Sequence, residues 1–402
     1  MATPATQQTA MHVLRRLRQA GYCAYFAGGS VRDRLMKCRT HDYDIATDAT
    51  PKQVKQLFGH VLLVGAQFGV AVVVHKKETV EVATFRTDAT YTDGRRPDAV
   101  TFATPREDAL RRDFTINGMF YDPVSREVID YVGGQRDIER GLIRTIGSPD
   151  ARFAEDYLRM MRAVRFAVRF GFTLEPATRR AIKTYAARVV GVSGERICDE
   201  LTKMLALPSA AEALVMLTDT GLAAHVLPAR FAVGWDGAVA RVAALAKHKD
   251  TTLMLMGLLG DMPAASANKR LRHWGASNAL RDGVAVAHSH WNAWRTLADA
   301  PLCTFKRMMA SEHFGRLRTL WRLLEARETG ATRQSRRIAR RAGGIDPRQV
   351  APDPFITGGD LLAMGLTEGP ALGTILNALY DAQLNEELSS RRAALAMARK
   401  LI

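Results

Sequence analysis

The pattern of apolar and polar positions divides the chain into a first part of mixed α/β character and a longer helical part. Residues 69–75 and 79–85 are β-branched runs separated by three charged residues, which predicts a β-hairpin. The amphipathic, basic segment 11–20 predicts a helix, and residues 51–59 predict a short helix with proline in its first turn. From about residue 148 onward the alternation fades, and Ala, Leu, Met and Arg predominate in a pattern that predicts successive helices separated by Gly and Pro.

The composition indicates a folded and basic protein. A chain of 402 residues exceeds one ordinary hydrophobic core, so we expect two to four structural units. Hydrophobic residues make up 47% and charged residues 24%, proportions that argue against disorder. The formal net charge of +16, from 57 Lys and Arg against 41 Asp and Glu, predicts a polyanionic partner.

Targeting and redox features favour the cytoplasm. No apolar run reaches about 18 residues, and residues 1–15 lack the apolar core of a signal peptide, so we expect no membrane partner. The four cysteines are scattered and form no Cys-x-x-Cys pair, which argues against a zinc site and a disulfide framework. These features together predict a cytoplasmic location.

A glycine pair opens the first chemical motif, GGSVRD at residues 28–33. Gly28 and Gly29 lack side chains, so backbone N–H groups can approach a phosphate closely, and Arg32 is available as a phosphate clamp. The motif is not a P-loop, because the chain has no GxxxxGK[ST] pattern here. The alternative interpretation of the glycine pair is a plain turn.

Two aspartates follow about ten residues later. If residues 42–45 form a strand, Asp42 and Asp44 project from the same face and repel each other unless a divalent cation lies between them. Such hard oxygen ligands suit Mg²⁺ that bridges substrate phosphates. Glu81, in the second β run, is a candidate third carboxylate, able to complete the metal site or to take a proton from an attacking hydroxyl. The alternatives are a solvated strand end and an exposed charge on a strand.

The motif RRDFTIN at residues 111–117 follows a polar segment, 86–110, that is too long for an ordinary connection and predicts a functional loop. Arg111 and Arg112 can bind phosphate, and Asp113 can accept a hydrogen bond from a ribose hydroxyl. A helix N-terminus with surface charges fits the same composition.

A third cluster has helical spacing. At 100° per residue, Asp156, Arg159, Arg162 and Arg165 fall on one half of a helix whose opposite side is apolar. Asp156 can accept from an exocyclic amine and Arg159 can donate to the adjacent ring nitrogen, an edge that cytosine and adenine share and that uracil and guanine lack. Buried polar groups left without partners cost about 1–3 kcal/mol each, so the pair could select CTP and ATP without a template. The alternative is a solvated basic face with an i,i+3 salt bridge.

These motifs, in this order, resemble the class II tRNA nucleotidyltransferases, or CCA-adding enzymes, and the related bacterial poly(A) polymerases. The matching segments cover about the first half of the chain and are AGGSVRDRL (27–35), HDYDIATDATP (41–51), EVATFRTD (81–88), RRDFTINGMFYDP (111–123), DYVGGQRDI (130–138), AEDYLRMMRAVRFAVRFGF (154–172) and SGERICDEL (193–201). The chain departs from common family patterns at Tyr157, where proline is frequent, and at Cys198, where a basic residue is frequent.

The resemblance implies an α+β fold, in which a nucleotidyltransferase head with a small mixed sheet precedes an all-α neck, body and tail. We expect the head at residues 1–140, the neck at 141–210, the body at 211–330 and a tRNA-binding tail at 331–402. The implied site residues are Asp42 and Asp44 for Mg²⁺, Gly28, Gly29 and Arg32 for the triphosphate, Arg111, Arg112 and Asp113 for phosphate and ribose, Asp156 and Arg159 for the base, and Arg162 and Arg165 near phosphate.

The implied reaction is in-line attack of an RNA 3′-hydroxyl on the α-phosphate of ATP or CTP, with two Mg²⁺ ions between Asp42 and Asp44. Poly(A) polymerases of this group usually carry a basic stretch where this chain has GAQFG at residues 65–69, which favours tRNA CCA addition. Addition of the terminal A alone remains an alternative, as does an RNA-binding protein that kept the fold without catalysis. The basic stretch 333–341, with five arginines, is expected to contact tRNA phosphate or to be a solvated helix face.

Overall fold

The computed structural model describes residues 3–4, 6–40, 42–63, 68–88, 100–227 and 234–402. The chain divides into two units. Unit 1 comprises residues 1–233 together with 273–275, and unit 2 comprises residues 234–272 and 276–402. The predicted functional loop falls partly outside the described residues, at 89–99, and so do positions 65–67 of the GAQFG segment.

Unit 1 begins with a mixed β-sheet. Its strands are β1 (Thr3–Pro4), β2 (Ala24–Ala27), β3 (Asp44–Thr47), β4 (Val61–Leu62), β5 (Val70–His75), β6 (Glu78–Thr84), β9 (Phe120–Asp122) and β10 (Glu127–Ile129). The strand order is β10-β9-β2-β3-β6-β5-β4, and β1 pairs with β6. The β3–β6 and β1–β6 pairs are parallel, whereas the other pairs are antiparallel. The predicted hairpin is confirmed as β5 and β6, which pair along their whole length. A separate antiparallel pair is formed by β7 (Arg86–Asp88) and β8 (Val100–Phe102).

The helices of unit 1 pack against the sheet and against one another. The helices of unit 1 are α1 (Gln7–Gln19), α2 (Gly29–Leu35), α3 (Pro51–Leu57), α4 (Pro105–Leu110), α5 (Gly134–Glu139), α6 (Pro149–Glu155), α7 (Leu158–Phe170), α8 (Pro176–Tyr185), α9 (Gly194–Leu205), α10 (Ala210–Asp219) and α11 (Ala223–Val226). Val13, Leu14 and Leu17 of α1 are fully buried and join a core with Ile45 and Val82 of the sheet. The helices predicted at 11–20 and 51–59 are thus present as α1 and α3.

The prediction of a mixed-sheet head followed by helices is confirmed, with one addition. Two short strands, β11 (Leu142–Ile143) and β12 (Thr173–Leu174), form a parallel pair within the region that the sequence predicted as entirely helical. Both strands of the pair contact α7. Thr173 donates its N–H to the carbonyl of Gly141 at 2.8 Å, which continues the same contact.

The N-terminus of α9 packs against the isolated segment 273–275 of unit 1. A Cβ atom on Gly194 would lie 1.9 Å from the carbonyl oxygen of His273, so only glycine fits at this position. Trp274 beside it is 1% exposed. Helix α9 therefore lies directly on backbone that arrives from about 80 residues later in the chain.

Unit 2 is helical throughout its described residues. Its helices are α12 (Trp235–Leu245), α13 (Thr251–Leu259), α14 (Ala264–His273, which ends in the segment of unit 1), α15 (Asn278–Ser289), α16 (Leu302–Met309), α17 (Phe314–Thr329), α18 (Arg333–Gly343), α19 (Gly358–Ala363), α20 (Pro370–Leu384) and α21 (Arg391–Leu401). Trp321 of α17 is fully buried, and its indole N–H donates to the carbonyl of His290 at 2.8 Å. The buried Glu325 accepts the N–H groups of Gln334 and Ser335 at 2.7 and 2.8 Å, so it caps the N-terminus of α18. None of the helices in the described part of the chain is long and apolar enough to cross a membrane.

Candidate active site

A cleft of about 540 Å³ in unit 1 brings together most of the residues that the sequence predicted as functional. Its lining comprises Gly28, Gly29, Arg32, Asp44, Arg86, Arg111, Arg112, Asp113, Asn117, Asp156, Leu158, Arg159, Arg162, Arg165, Phe166 and Arg196. Eight of these residues are arginines and three are aspartates, so cationic side chains outnumber anionic ones in the lining. A cleft with this excess of positive charge is suited to a polyanionic ligand.

The glycine pair lies where β2 ends and α2 begins. Gly28 has φ of 65° and ψ of −126°, a conformation that residues with a Cβ atom rarely adopt. A Cβ at Gly28 would lie 3.1 Å from Nη1 of Arg112, so the missing side chain lets that guanidinium approach the loop. Backbone and cation thus meet at the position predicted for phosphate.

Arg32 lies in the cleft wall and is largely committed to partners within the protein. Its guanidinium donates to Asp33 Oδ1 at 2.9 and 2.6 Å and to Asn117 Oδ1 at 2.6 Å, and its Cζ lies 4.6 Å from the Phe170 ring centroid. Only 4% of the residue is exposed, and burial lowers the pKa of this arginine. The predicted contact between Arg32 and the triphosphate stays a prediction.

The predicted metal ligands lie at the start of β3. Asp42 is exposed and precedes the strand, whereas Asp44 begins it and lines the cleft. The next residue, Ile45, pairs in parallel with Val82, which places Asp44 beside Glu81. Burial raises the pKa of Asp44 to about 7, and the negative charges of Asp42 and Glu81 add to that effect.

Glu81 belongs to the same electrostatic group although it does not line the cleft. Its side chain is exposed on β6, and partial loss of hydration together with the charge of Asp42 raises its pKa. In the described part of the chain, no three His, Cys, Asp or Glu side chains converge as a complete metal site. Two repelling carboxylates fit a hard divalent cation that takes its remaining ligands from substrate phosphate and water, as Mg²⁺ commonly does.

The RRDFTIN arginines are held by a residue that the sequence reasoning missed. Asp108, at 1% exposure, accepts from both Arg111 and Arg112. Burial acts to raise the pKa of Asp108, but Arg112 and Arg111 hold it below its ordinary value. Both arginines line the cleft.

Asp113 is fixed from the other side of the cleft. Arg162 of α7 donates to Asp113 Oδ2 at 2.9 and 2.7 Å, and Asn117 Nδ2 donates to Oδ1 at 3.2 Å. Although burial acts to raise it, the pKa of Asp113 is lowered by Arg162 and by these hydrogen bonds. The carboxylate is therefore ionised and able to accept from a hydroxyl group.

The prediction that Asp156 lies on the same helix as the three arginines is wrong. Helix α7 begins at Leu158, and Asp156 has extended backbone (φ −158°, ψ 104°) in the break that separates it from α6. Its Oδ1 accepts the N–H of Leu158 at 3.0 Å, a local bond that competes with helix formation. The arginine that pairs with Asp156 is Arg196 of α9, at 3.2 and 2.7 Å, and not the i+3 residue Arg159.

The other arginines of α7 also have carboxylate partners. Arg159 donates to Glu155 and to the carbonyl of Arg152, the latter at 2.9 Å. Arg165 donates to the buried Glu200 of α9 at 2.6 Å. The sequence placed Arg159, Arg162 and Arg165 correctly on one face. The α9 residues Arg196 and Glu200, which hold Asp156 and Arg165, lie too far along the chain to be inferred from helical spacing. The segment SGERICDEL was the only indication, because it contains both Arg196 and Glu200.

Comparison with known proteins agrees with this geometry. The family described as "Poly A polymerase head domain" matches residues 24–144, and the family described as "Probable RNA and SrmB- binding site of polymerase A" matches residues 171–232. The CCA-adding enzyme of Lactobacillus gasseri is 36% identical over 399 residues, which cover 98% of this chain and 96% of that relative. The CCA-adding enzyme of Geobacillus thermodenitrificans is 48% identical over 220 residues, about half (54%) of each chain.

A solved structure extends the similarity to the fold of nearly the whole chain. The crystal structure of the Bacillus stearothermophilus CCA-adding enzyme in complex with CTP has a TM-score of 0.77 and 33% sequence identity, and the match covers 98% of this chain and 97% of that one. Full-length sequence similarity, two family matches and a shared fold therefore agree, and the chain belongs to the family of CCA-adding enzymes, which are tRNA nucleotidyltransferases.

Proposed function

We propose that this chain adds the CCA end to tRNA from CTP and ATP, without a nucleic-acid template. The observation that carries the proposal is the single cleft in which the acidic residue Asp44, the glycine loop at Gly28 and eight arginines meet. The B. stearothermophilus relative, which aligns over nearly the whole chain, was solved in complex with CTP.

Asp42 and Asp44 would hold the divalent metal ions that enzymes of this family generally use, and we propose Mg²⁺ as the metal. When bound, such ions supply charge neutralisation at the phosphates and lower the pKa of a coordinated hydroxyl. Arg112, next to Gly28, binds the triphosphate together with Arg111, and Asp113 accepts from the ribose hydroxyl.

The reaction transfers a nucleotidyl group. The RNA 3′-oxygen forms a bond to the α-phosphorus, the bond from that phosphorus to the bridging oxygen breaks, and pyrophosphate leaves. Glu81, whose pKa is raised, can accept the proton of the 3′-hydroxyl. The arginines of the cleft balance the negative charge that the leaving pyrophosphate carries.

Asp156 and Arg159 would read the base. Each side chain is held by a second residue, Asp156 by Arg196 and Arg159 by Glu155, and both are less than 10% exposed. A carboxylate and a guanidinium fixed in this way accept the amine and donate to the ring nitrogen of cytosine or adenine. Uracil and guanine present a carbonyl oxygen to the carboxylate and an N–H to the guanidinium, so neither hydrogen bond to the base would form, at a cost of about 1–3 kcal/mol each.

The RNA must also meet unit 2 if the whole chain acts on tRNA. A groove of about 790 Å³ between α12, α17 and α18 is lined by Lys247, His248, Arg318, Arg322 and Arg336, with no acidic side chain in its lining. Lys247, Arg318 and Arg322 form no salt bridge within the described residues. Unpaired cations in a groove favour a phosphate backbone, and we propose that this groove contacts the tRNA.

Within residues 333–341, we propose that three of the five arginines contact tRNA. Arg337 pairs with Asp299, with Nη1 and Oδ2 2.9 Å apart, and Arg341 donates to three backbone carbonyls at residues 297, 298 and 300. These two arginines stabilise the fold of unit 2. Arg333, Arg336 and Arg340 are exposed and remain available to phosphate.

Two alternatives have weaker support. Poly(A) polymerase activity is disfavoured because the full-length relatives are CCA-adding enzymes. An RNA-binding protein without catalysis is disfavoured because Asp42, Asp44 and Glu81 are all present and interact electrostatically. Addition of A alone is one of the outcomes that the test below distinguishes. We propose that the protein acts in the cytoplasm.

The test uses three RNAs: a tRNA that ends before CCA, a tRNA that ends in CC, and an unstructured oligomer. Each is incubated with the protein, Mg²⁺, CTP and ATP, and the product 3′ ends are sequenced. CCA on the first and A on the second establish the proposed function. A on the second alone indicates an A-adding enzyme, long A tails on all three indicate a poly(A) polymerase, and no extension overturns the catalytic proposal.

A further inference from the structure

Asp108 is a buried carboxylate that lies behind the cleft and holds two of its arginines. Its Oδ1 accepts from Nε and Nη2 of Arg111 at 2.9 and 2.6 Å, and its Oδ2 accepts from Nε and Nη2 of Arg112 at 3.1 and 2.9 Å. Asp108 itself is not part of the cleft lining. Each oxygen of one carboxylate thus serves one guanidinium, which offsets the repulsion between two adjacent arginines.

The contact fixes which edge of Arg112 faces the cleft. Its Nε and Nη2 are occupied by Asp108, and its Nη1 donates to the carbonyl of Asn117 at 3.4 Å. The same Nη1 lies 3.1 Å from the position of a Cβ atom on Gly28. A guanidinium held along one edge loses rotational freedom, so Nη1 stays next to the glycine loop, where the triphosphate is proposed to bind.

Asp108 also connects the arginines to β7. Its Oδ1 accepts the backbone N–H of Arg86 at 3.3 Å, and Nε of Arg111 donates to the carbonyl of Arg86 at 3.0 Å. The backbone N–H of Arg86 thus binds Asp108 itself, and its carbonyl binds Arg111, which Asp108 holds. The first residue of β7 and the two arginines form one unit around a single anion.

We propose that Asp108 is a positioning residue for triphosphate binding, an inference that rests on the proposed function. It acts through Arg111 and Arg112 and contacts no substrate atom. Because the arginines bind phosphates and not the base, the effect of Asp108 is the same for CTP and ATP. This separates Asp108 from the base-reading pair Asp156 and Arg159, whose effects depend on the base.

The test compares Asp108→Asn with the wild-type protein. Dissociation constants for non-hydrolysable CTP and ATP analogues are measured by calorimetry without RNA, and KM and kcat are measured with tRNA. We expect both nucleotides to bind about 10-fold more weakly, a change that corresponds to about 1.4 kcal/mol. The KM for each nucleotide rises by the same factor, whereas kcat at saturating nucleotide and the KM for tRNA change little.

Asp137→Asn is the matched control. Asp137 is also buried, at 4% exposure, and accepts from Thr115 Oγ1 at 2.7 Å and from Arg144 Nε at 3.0 Å, but it does not line the cleft or hold a cleft arginine. Both variants are expected to lower Tm, and only Asp108→Asn is expected to weaken nucleotide binding. Equal effects of the two variants on nucleotide binding, or none from Asp108→Asn, would overturn the proposal.

A double-mutant cycle tests whether Asp108 acts through Arg112. Once Arg112→Ala has removed the guanidinium, Asp108→Asn should weaken binding much less than it does alone, whereas additive losses would contradict the mechanism. The calorimetry needs no catalysis, so its outcome is separate from that of the proposed function. A wild-type protein that binds nucleotide and extends no RNA would refute the catalytic proposal alone.

Discussion

Arg196 donates two parallel hydrogen bonds to the carboxylate of Asp156, at 3.2 and 2.7 Å, across 40 residues of chain. This pair replaces the i,i+3 contact that helical spacing suggested, and it fixes a carboxylate that lies in the break between α6 and α7. An aspartate restrained by a bidentate partner keeps its lone pairs in a set direction. The base reading that we propose for Asp156 therefore depends on α9.

We expect Arg196→Met to reduce base selectivity more than it reduces nucleotide affinity. With Asp156 free to rotate, the ratio of kcat/KM for CTP over UTP should fall by about 5- to 30-fold, the factor that one or two kcal/mol represents. Single-nucleotide incorporation with each triphosphate measures the ratio. Arg179→Met is the control, because Arg179 is exposed and approaches Asp219 only at 4.0 Å. An unchanged CTP/UTP ratio in Arg196→Met would contradict the positioning of Asp156 by α9.

We expect Asp44→Asn to abolish incorporation and at the same time to stabilise the metal-free protein at alkaline pH. The folded-state pKa of Asp44 is raised to about 7, above the ordinary value of 3.8, so the folded protein binds more protons than the unfolded chain between these two values. The wild-type free energy of unfolding therefore falls as pH rises from about 4 to 7. The amide variant lacks this loss, so its Tm should exceed that of the wild type at pH 8 and approach it at pH 4.

The measurement is thermal unfolding across this pH range in the presence of a chelator. Asp48→Asn provides the control, because Asp48 is exposed and, among the described residues, its side chain accepts the backbone N–H of Cys23 at 2.8 Å. If Asp44→Asn and the wild type show the same pH dependence of Tm, the electrostatic coupling of Asp42, Asp44 and Glu81 is not as described.

We expect Gly28→Ala to weaken binding of both nucleotides. The added methyl group meets Nη1 of Arg112 at 3.1 Å, and the positive φ of 65° adds backbone strain of about 1–2 kcal/mol. Gly171→Ala shares the positive φ, at 66°, but a Cβ there has no neighbour within 4 Å. Both variants should lose stability in thermal unfolding, and only Gly28→Ala should lose nucleotide affinity in calorimetry. Equal affinities in the two variants would argue against phosphate binding at the glycine loop.

We expect charge reversal in the groove of unit 2 to weaken tRNA binding without changing nucleotide affinity. Arg318→Glu and Arg322→Glu each remove a phosphate contact, so the slope of log Kd against log salt should decrease by about 1 per contact. Filter binding at several salt concentrations measures the slope. Arg307→Glu serves as the control, since Arg307 pairs with Asp381 on α20 and lies outside the groove lining. A salt slope identical in all three variants would place the RNA elsewhere.

Local patterns in the sequence were sufficient for the elements and for most of the cleft. The β5–β6 hairpin and helices α1 and α3 follow from periodicity and turn residues. The glycine pair, Asp44 and the RRD motif line one cleft, whereas Asp42 is not part of its lining. The division into head, neck, body and tail stays a prediction.

The residues that support the site could not be inferred in the same way. Asp108 looks like an ordinary first-turn acid of a helix that ends at Leu110, so helical spacing alone did not indicate that it holds Arg111 and Arg112. Arg196 and Glu200 act on residues 35 to 40 positions away, through packing of α9 against α7. The prediction placed Asp156 within the helix because helical periodicity takes no account of hydrogen bonds from side chains to the backbone. The side chain of Asp156 accepts the N–H of Leu158, and this bond competes with the helical conformation at Asp156.

The contact between Gly194 and His273 has a consequence for how the protein is made. Helix α9 carries both Arg196 and Glu200, and its first turn rests on backbone at residues 273–275. When the first 233 residues have emerged from the ribosome, every residue that lines the cleft has been synthesised. Residues 273–275, on which α9 packs, have not. We therefore expect the cleft to reach its final rigidity only after some forty further residues have emerged, so that the nascent head stays unable to discriminate nucleotides until later synthesis completes its support.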